Sequence, residues 1–229
     1  NNAVNTWTLM TPSSPLNNNI RLVFPVVHYD SVDTYIITKN NNLYGCGMNL
    51  HGEFGVGNGI TKPVFEQIVG PSNEFVNNVK NIIADYTRSY YLTTIDNNLY
   101  VSGINTSGQL GIGNSTSRTS YIKITNVDLI NNVDYVVIAY NSAFLLTINK
   151  KLFATGQNSN GYFGQNNNTN LTSWTHLTGM YSKIFFDPPN NLIIGIDNNV
   201  KSFFINADSL YVITEEPSHG DILWVAGRN

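Results

Sequence analysis

Short apolar runs followed by asparagine-rich turns recur along this chain at intervals of about fifty residues. Tyr35–Thr38 precedes Lys39–Asn42, Tyr91–Thr94 precedes Ile95–Asn98, and Phe144–Thr147 precedes Ile148–Lys151. A fourth copy, Leu192–Gly195 before Ile196–Asn199, leads into Val200–Asn206. Asparagine tolerates the positive φ of a tight turn, so each copy predicts a hairpin closed by a two-residue turn. The flanking runs are rich in Ile, Leu, Tyr and Phe, which suits half-buried strands.

A further strand is predicted before each hairpin, at Ile20–Phe24, Val79–Ile83, Val133–Ile138 and Tyr181–Phe186. Another is predicted after it, at Val64–Ile68, Tyr121–Ile124 and Trp174–Leu177. No segment carries an apolar stripe of helical period. Four antiparallel strands per unit describe an all-β chain, a β-propeller of four-stranded blades with four to five blades present in one domain spanning residues 1–229. The copies lie near residues 20–68, 79–124, 133–177 and 181–206. A partial blade is expected from residues 210–229, completed by Thr6–Met10, which resembles Ser173–Leu177.

Between the second and last strands of each unit stands a sixteen-residue phrase: LYGCGMNLHGEFGVGN from Leu43, LYVSGINTSGQLGIGN from Leu99 and LFATGQNSNGYFGQNN from Leu152. Glycines recur at Gly47, Gly103 and Gly156, with Gly227 in the partial copy; at Gly52, Gly108 and Gly161; and at Gly55, Gly111 and Gly164. The next small position reads Gly57, Gly113 and Asn166, as a left-handed backbone would allow. Asn49, Asn105 and Asn158 are placed to bond loop backbone, while Phe54, Leu110 and Phe163 are candidate core plugs between blades. A phosphate-binding loop is the competing reading of such glycines, but the Lys-Ser/Thr pair and the following helix are missing. The phrase reads as structural.

Charged residues make up 12% of the chain and the net charge is −3, with asparagine taking the place of charge. No cluster of Lys or Arg forms the basic stripe of a nucleic-acid surface, so no nucleic-acid partner is expected. No apolar run reaches the roughly 18 residues of a helical membrane span, and no membrane partner is expected. The single cysteine, Cys46, excludes an internal disulfide framework and favours a cytosol-like reducing environment. The four histidines, His28, His51, His176 and His219, show no metal-ligand spacing, so neither a metal nor a cofactor is expected.

The repeated phrase, with its strand and turn before it, resembles the regulator of chromosome condensation repeat. The resemblance implies a propeller, typically seven-bladed, in a family whose best-known member is the nucleotide exchange factor for the Ran GTPase. It implies a non-enzymatic protein-interaction module whose partner is a small GTPase. Low charge and abundant asparagine also fit an alternative, a structural subunit of a large assembly such as a virus particle or phage tail. The loops joining the first two strands of each unit are the candidate partner face: His28, Tyr29 and Asp30; Asp85, Tyr86 and Arg88; Tyr140 and Asn141; and Asp187. His28 beside Asp30 and Asp33 is also the candidate for acid-base chemistry, a reading that three polar loop residues do not favour. Glu215 and Glu216 open an acidic hairpin loop that is a candidate protrusion.

Overall fold

The computed structural model describes residues 16–178, 199–206, 209–216 and 220–227. Thr6–Met10, Tyr181–Phe186, Asp187 and Leu192–Ile196 lie outside the described residues.

Fifteen strands form four meandering antiparallel sheets among the described residues. The first blade holds β1 (Ile20–Val27), β2 (Val32–Thr38), β3 (Leu43–Gly47) and β4 (Lys62–Ile68). The second holds β5 (Val79–Ala84), β6 (Ser89–Thr94), β7 (Leu99–Gly103) and β8 (Arg118–Lys123). The third holds β9 (Val133–Ala139), β10 (Ser142–Thr147), β11 (Leu152–Gly156) and β12 (Leu171–His176). The fourth has three described strands: β13 (Val200–Ile205), β14 (Ser209–Glu216) and β15 (Gly220–Gly227). The only helical turn among the described residues is Pro71–Asn73.

Both faces of the second and third blades are covered by neighbours, so their middle strands lose the in-out alternation of a half-exposed sheet. Every residue of β6, β7, β10 and β11 is buried. One apolar cluster fills each junction: Tyr35, Phe54, Phe75 and Tyr121 between the first two blades; Tyr91, Leu110 and Trp174 between the next two; Phe144, Phe163, Phe203 and Trp224 between the last two. Phe54, Leu110 and Phe163 are wholly buried, as plugs should be.

The glycine phrase is the joint between blades. Its loop reaches across to the last strand of the next blade: the Gly57 amide donates to the Thr119 carbonyl at 2.7 Å and the Tyr121 amide to the Gly55 carbonyl at 3.0 Å. One blade further on, the Gly113 amide donates to Thr172 at 2.7 Å. Gly55 and Gly111 lie flat beneath the rings of Tyr121 and Trp174; an added Cβ would come within 2.2 and 2.5 Å of them. Asn49, Asn105 and Asn158 clamp the loop from inside. Each accepts the amide of the plug residue (2.9, 2.9 and 3.0 Å) and donates to the carbonyl nine positions on, at Asn58, Asn114 and Asn167.

Three placements differ from the sequence expectation. The hairpin turns span three residues, because Thr38 closes on Asn42, Thr94 on Asn98 and Thr147 on Lys151. Positive φ falls only on the third loop residue, Asn41, Asn97 or Lys150, the bulged turn rather than the two-residue one. Strand Val200–Ile205 opens the fourth blade instead of closing a copy begun at residue 181. Its Val200 amide donates to Lys150, as Val79 does to Asn41 and Val133 to Asn97. Glu215 and Glu216 belong to strand β14, in register with Asp221 and Gly220, rather than to a loop.

Candidate functional site

The turns β1–β2, β5–β6 and β9–β10 emerge at one end of the blades, on the side of the glycine loops. Each carries a tyrosine at its tip: Tyr29, Tyr86 and Tyr140 are 106%, 60% and 50% exposed. Tyr86 and Tyr140 meet edge to face across the second and third blades, with centroids 6.5 Å apart. Val27 and Val32, the last pair of the β1–β2 ladder, add exposed apolar surface beside Tyr29. Hairpin length sets these heights. The first blade pairs as far as Val27 and Val32 before turning, whereas the third turns in two residues with Tyr140 at φ 52.

Beneath the first two tips lies a buried polar cluster. His28 Nε2 is 3.0 Å from Asp33 Oδ2 and 2.9 Å from the Tyr90 hydroxyl, which itself donates to Asp33 Oδ2 at 3.0 Å. His28 Nδ1 faces the Tyr86 carbonyl at 3.3 Å. Burial pushes the Asp33 carboxyl up from its ordinary range, and Asp33 Oδ1 has no hydrogen-bond partner. Arg88 spans the junction: Nη1 donates to Glu53 Oε1 at 3.1 Å, and Nη2 to Asp30 Oδ1 and, at 3.3 Å, to Ser31 Oγ. Glu53 Oε2 accepts the His51 amide at 2.8 Å. Asp85 accepts the Ser89 amide and the Thr87 hydroxyl, and burial raises its carboxyl too.

This cluster fastens two tips to each other. Arg88 ties the second blade's turn to both the tip and the glycine loop of the first, while His28 reaches the second blade's Tyr86 and Tyr90. His28 is 5% exposed and Asp33 wholly buried, so the acid-base reading of His28, Asp30 and Asp33 gains no open substrate position. Among the described residues, no three His, Cys, Asp or Glu side chains are grouped to hold a metal ion. A partly open cavity of about 130 Å³ lies elsewhere, between Lys80, Tyr91, Asp134 and Tyr135.

Of the candidates, His28, Tyr29, Asp30, Asp85, Tyr86, Arg88, Tyr140 and Asn141 are brought to this end. Asn141 bonds the Gln157 side chain at 3.1 Å. Glu215 and Glu216 belong to the β14–β15 hairpin, at the opposite end, and Asp187 lies outside the described residues. Sequence reasoning missed Glu53 and Tyr90. The signal for Glu53 was available: it is the one charge at a phrase position that reads Gln109 and Tyr162 in the other copies.

No protein-family model matches the chain. The X-linked retinitis pigmentosa GTPase regulator of Mus musculus is 30% identical over 141 residues, 60% of this chain and 13% of that protein. The chain therefore spans about one seventh of the length of the curated relatives it matches. Among solved structures, human WBSCR16 is similar with a TM-score of 0.58 at 14% identity, over 84% of this chain and 44% of that one. Prp20p of Saccharomyces cerevisiae, described with its binding to Gsp1p and histones, is similar with a TM-score of 0.56 at 16% identity, over 69% and 38%.

Proposed function

We propose that this chain, a propeller built of regulator of chromosome condensation repeats, is a non-enzymatic module that binds a protein partner through its tyrosine-tipped end. The observation that carries this is the row Tyr29, Tyr86 and Tyr140, exposed on three successive blades, the first two standing over a largely buried ionic scaffold and the third against Tyr86. Tyrosine offers a large, stiff contact area at little entropic cost, and a rigid platform limits the ordering penalty of association.

We infer that the partner is a small GTPase. A relative is named as a GTPase regulator, and a structural neighbour is described with Gsp1p, which supports this reading over a subunit of a large assembly. Release of a fluorescent guanine nucleotide from a panel of small GTPases, Ran included, is the test. Stimulated release or saturable binding by the intact chain, lost in a Tyr29→Ala, Tyr86→Ala, Tyr140→Ala triple variant, is expected. Equal activity in wild type and triple variant would remove the tips from the reading. Neither binding nor exchange across the panel would remove the GTPase.

A further inference from the structure

The glycine phrase ends in each copy on an asparagine, and the three stand in the same turn. Asn58, Asn114 and Asn167 each offer their side-chain carbonyl to the amide two residues on, at Ile60, Thr116 and Thr169 (3.1, 2.9 and 2.9 Å). Each also gives its backbone carbonyl to the clamp of its own loop, Asn49, Asn105 or Asn158, at 2.9, 2.8 and 2.9 Å. All three are exposed. They differ in the residue that follows: Gly59, Ser115 and Asn168.

The side chain of asparagine is itself an amide. The backbone nitrogen of the next residue can attack its Cγ, closing a cyclic imide and expelling ammonia. Three conditions govern that step: a free nitrogen, a polarised carbonyl and access of water. Asn58 meets all three. Gly59 has no Cβ to shield its nitrogen, and among the described residues its amide donates to nothing. Asn58 Oδ1 takes a second donor, Asn49 Nδ2 at 3.3 Å, besides the Ile60 amide. Two N–H groups aimed at one amide oxygen stabilise the negative charge that builds there as the nitrogen adds. In the second copy Asn105 Nδ2 turns instead to the Thr116 carbonyl at 3.1 Å.

The chain has one other Asn-Gly step, Asn160-Gly161, and it fails the first condition. The Gly161 amide is tied to the Asn158 carbonyl at 2.9 Å. Sequence alone ranks the two steps equally; the hydrogen bonds separate them.

We propose that Asn58 is a site of spontaneous deamidation and isoaspartate formation. The Gly59 nitrogen bonds to Asn58 Cγ, its proton passes through solvent to Nδ2, and the Cγ–Nδ2 bond breaks with loss of ammonia. Water then opens the imide at one of its two carbonyls. Opening at Cγ leaves aspartate; opening at the backbone carbonyl leaves isoaspartate, with the chain running through Cγ. Both products replace a neutral amide with a carboxylate. Isoaspartate also lengthens the backbone between Gly57, whose amide staples the loop to Thr119, and Lys62, which opens β4 opposite Gly47. The first loop thereby slackens between its staple and its strand, while the second and third keep their length.

The test is to age the folded full chain in mildly alkaline buffer. Peptide mapping by mass spectrometry reads the NH-to-O mass gain, and methyl transfer by an isoaspartyl methyltransferase reads the isoaspartate. The Asn58 peptide is expected to react at least about tenfold faster than those holding Asn114, Asn160 and Asn167. In urea, where the turns are gone, Asn58 and Asn160 should react alike. Gly59→Ser, which installs the residue of the second copy, should slow the reaction at Asn58 by about tenfold or more. Ser115→Gly should speed it at Asn114. Circular dichroism checks that both variants fold. Should Gly59→Ser not fold, Ser115→Gly carries the test, and an unchanged rate at Asn114 overturns the proposal. So do an Asn58 that stays intact in the folded chain, an Asn160 that keeps pace with it there, or a folded Gly59→Ser chain that reacts like wild type.

Discussion

The junctions among the first three blades and the junction between the third and fourth bury comparable aromatic clusters, yet they are fastened differently. At the first, the Arg21 guanidinium crosses to the Val79 and Lys80 carbonyls at 3.0 and 2.9 Å. At the second, Lys80 crosses to the Asp134 carbonyl at 3.0 Å. The equivalent residue of the third blade is Asp134 itself, which has no proton to give. Lys201 of the fourth blade turns back to Asp221 within its own sheet at 2.7 Å. There the backbone bond from the Val200 amide to the Lys150 carbonyl at 3.1 Å stands beside Tyr135, which stacks on Phe203 at 5.4 Å. Apolar burial alone brings two blades together; the directional bonds set how one sits against the next.

The largest expected effect separates the first junction from all others. Arg88→Met leaves Glu53 buried without its cation and should cost about 3–5 kcal/mol in denaturant unfolding. The same change in a Glu53→Gln background should cost under about 1 kcal/mol, because Gln109 fills the equivalent position and its Oε1 accepts the Ser107 amide at 2.9 Å. Equal costs in both backgrounds would mean that Arg88 acts through packing rather than charge.

Next comes the staple. Gly52→Ala drives a Cβ into the Thr119 backbone at a positive φ and should destabilise by about 3 kcal/mol or more. Gly161→Ala, with the same φ penalty but only a side-chain oxygen nearby, should cost about 1 kcal/mol. Equal values would break the comparison, since backbone strain alone would then explain the glycines. Asn105→Ala should follow at about 2 kcal/mol, because it orphans the buried Leu110 amide and the Asn114 carbonyl together. Lys80→Met, which loses a half-buried contact to a carbonyl, should cost no more than about 1 kcal/mol.

Much of this architecture is written locally and so could be read. The phrase from Leu99 to Asn114 contains its own clamp, plug and turns within sixteen residues, and its period betrays the blade. What the phrase grips could not be read the same way: Gly55 and Tyr121 are far apart in sequence, and His28 meets Tyr90 across 62 positions. Asp33 and Arg88 sit in or beside turns whose composition looks like any polar cap. The place of Val200–Ile205 was misread because Ile196–Asn199 imitates the hairpin turn that precedes every phrase; the Val-Lys start it shares with β5 was the better guide.

The smallest effect is a pH response confined to the first junction. Asp33 occupies the position, opposite Gly47, that Ser89 and Ser142 hold opposite Gly103 and Gly156, so only this junction carries a carboxyl there. Burial, reinforced by the nearby Glu53 charge, raises the Asp33 carboxyl above its unfolded value despite the opposing bonds from Tyr90 and His28. A group raised in this way favours the folded state when protonated. Its contribution is complete below the unfolded carboxyl value and is lost as pH rises through the folded one. Unfolding free energy followed from neutral pH downward should therefore gain a rising component from Asp33, until groups whose carboxyls are held low begin to protonate. Asp33→Ser, which installs the residue of the other blades, should flatten that component. Asp85, also raised by burial, keeps part of the slope and sets how much of it remains in the variant. An unchanged profile in Asp33→Ser would place the titration elsewhere and leave the first junction distinguished by Arg88 alone.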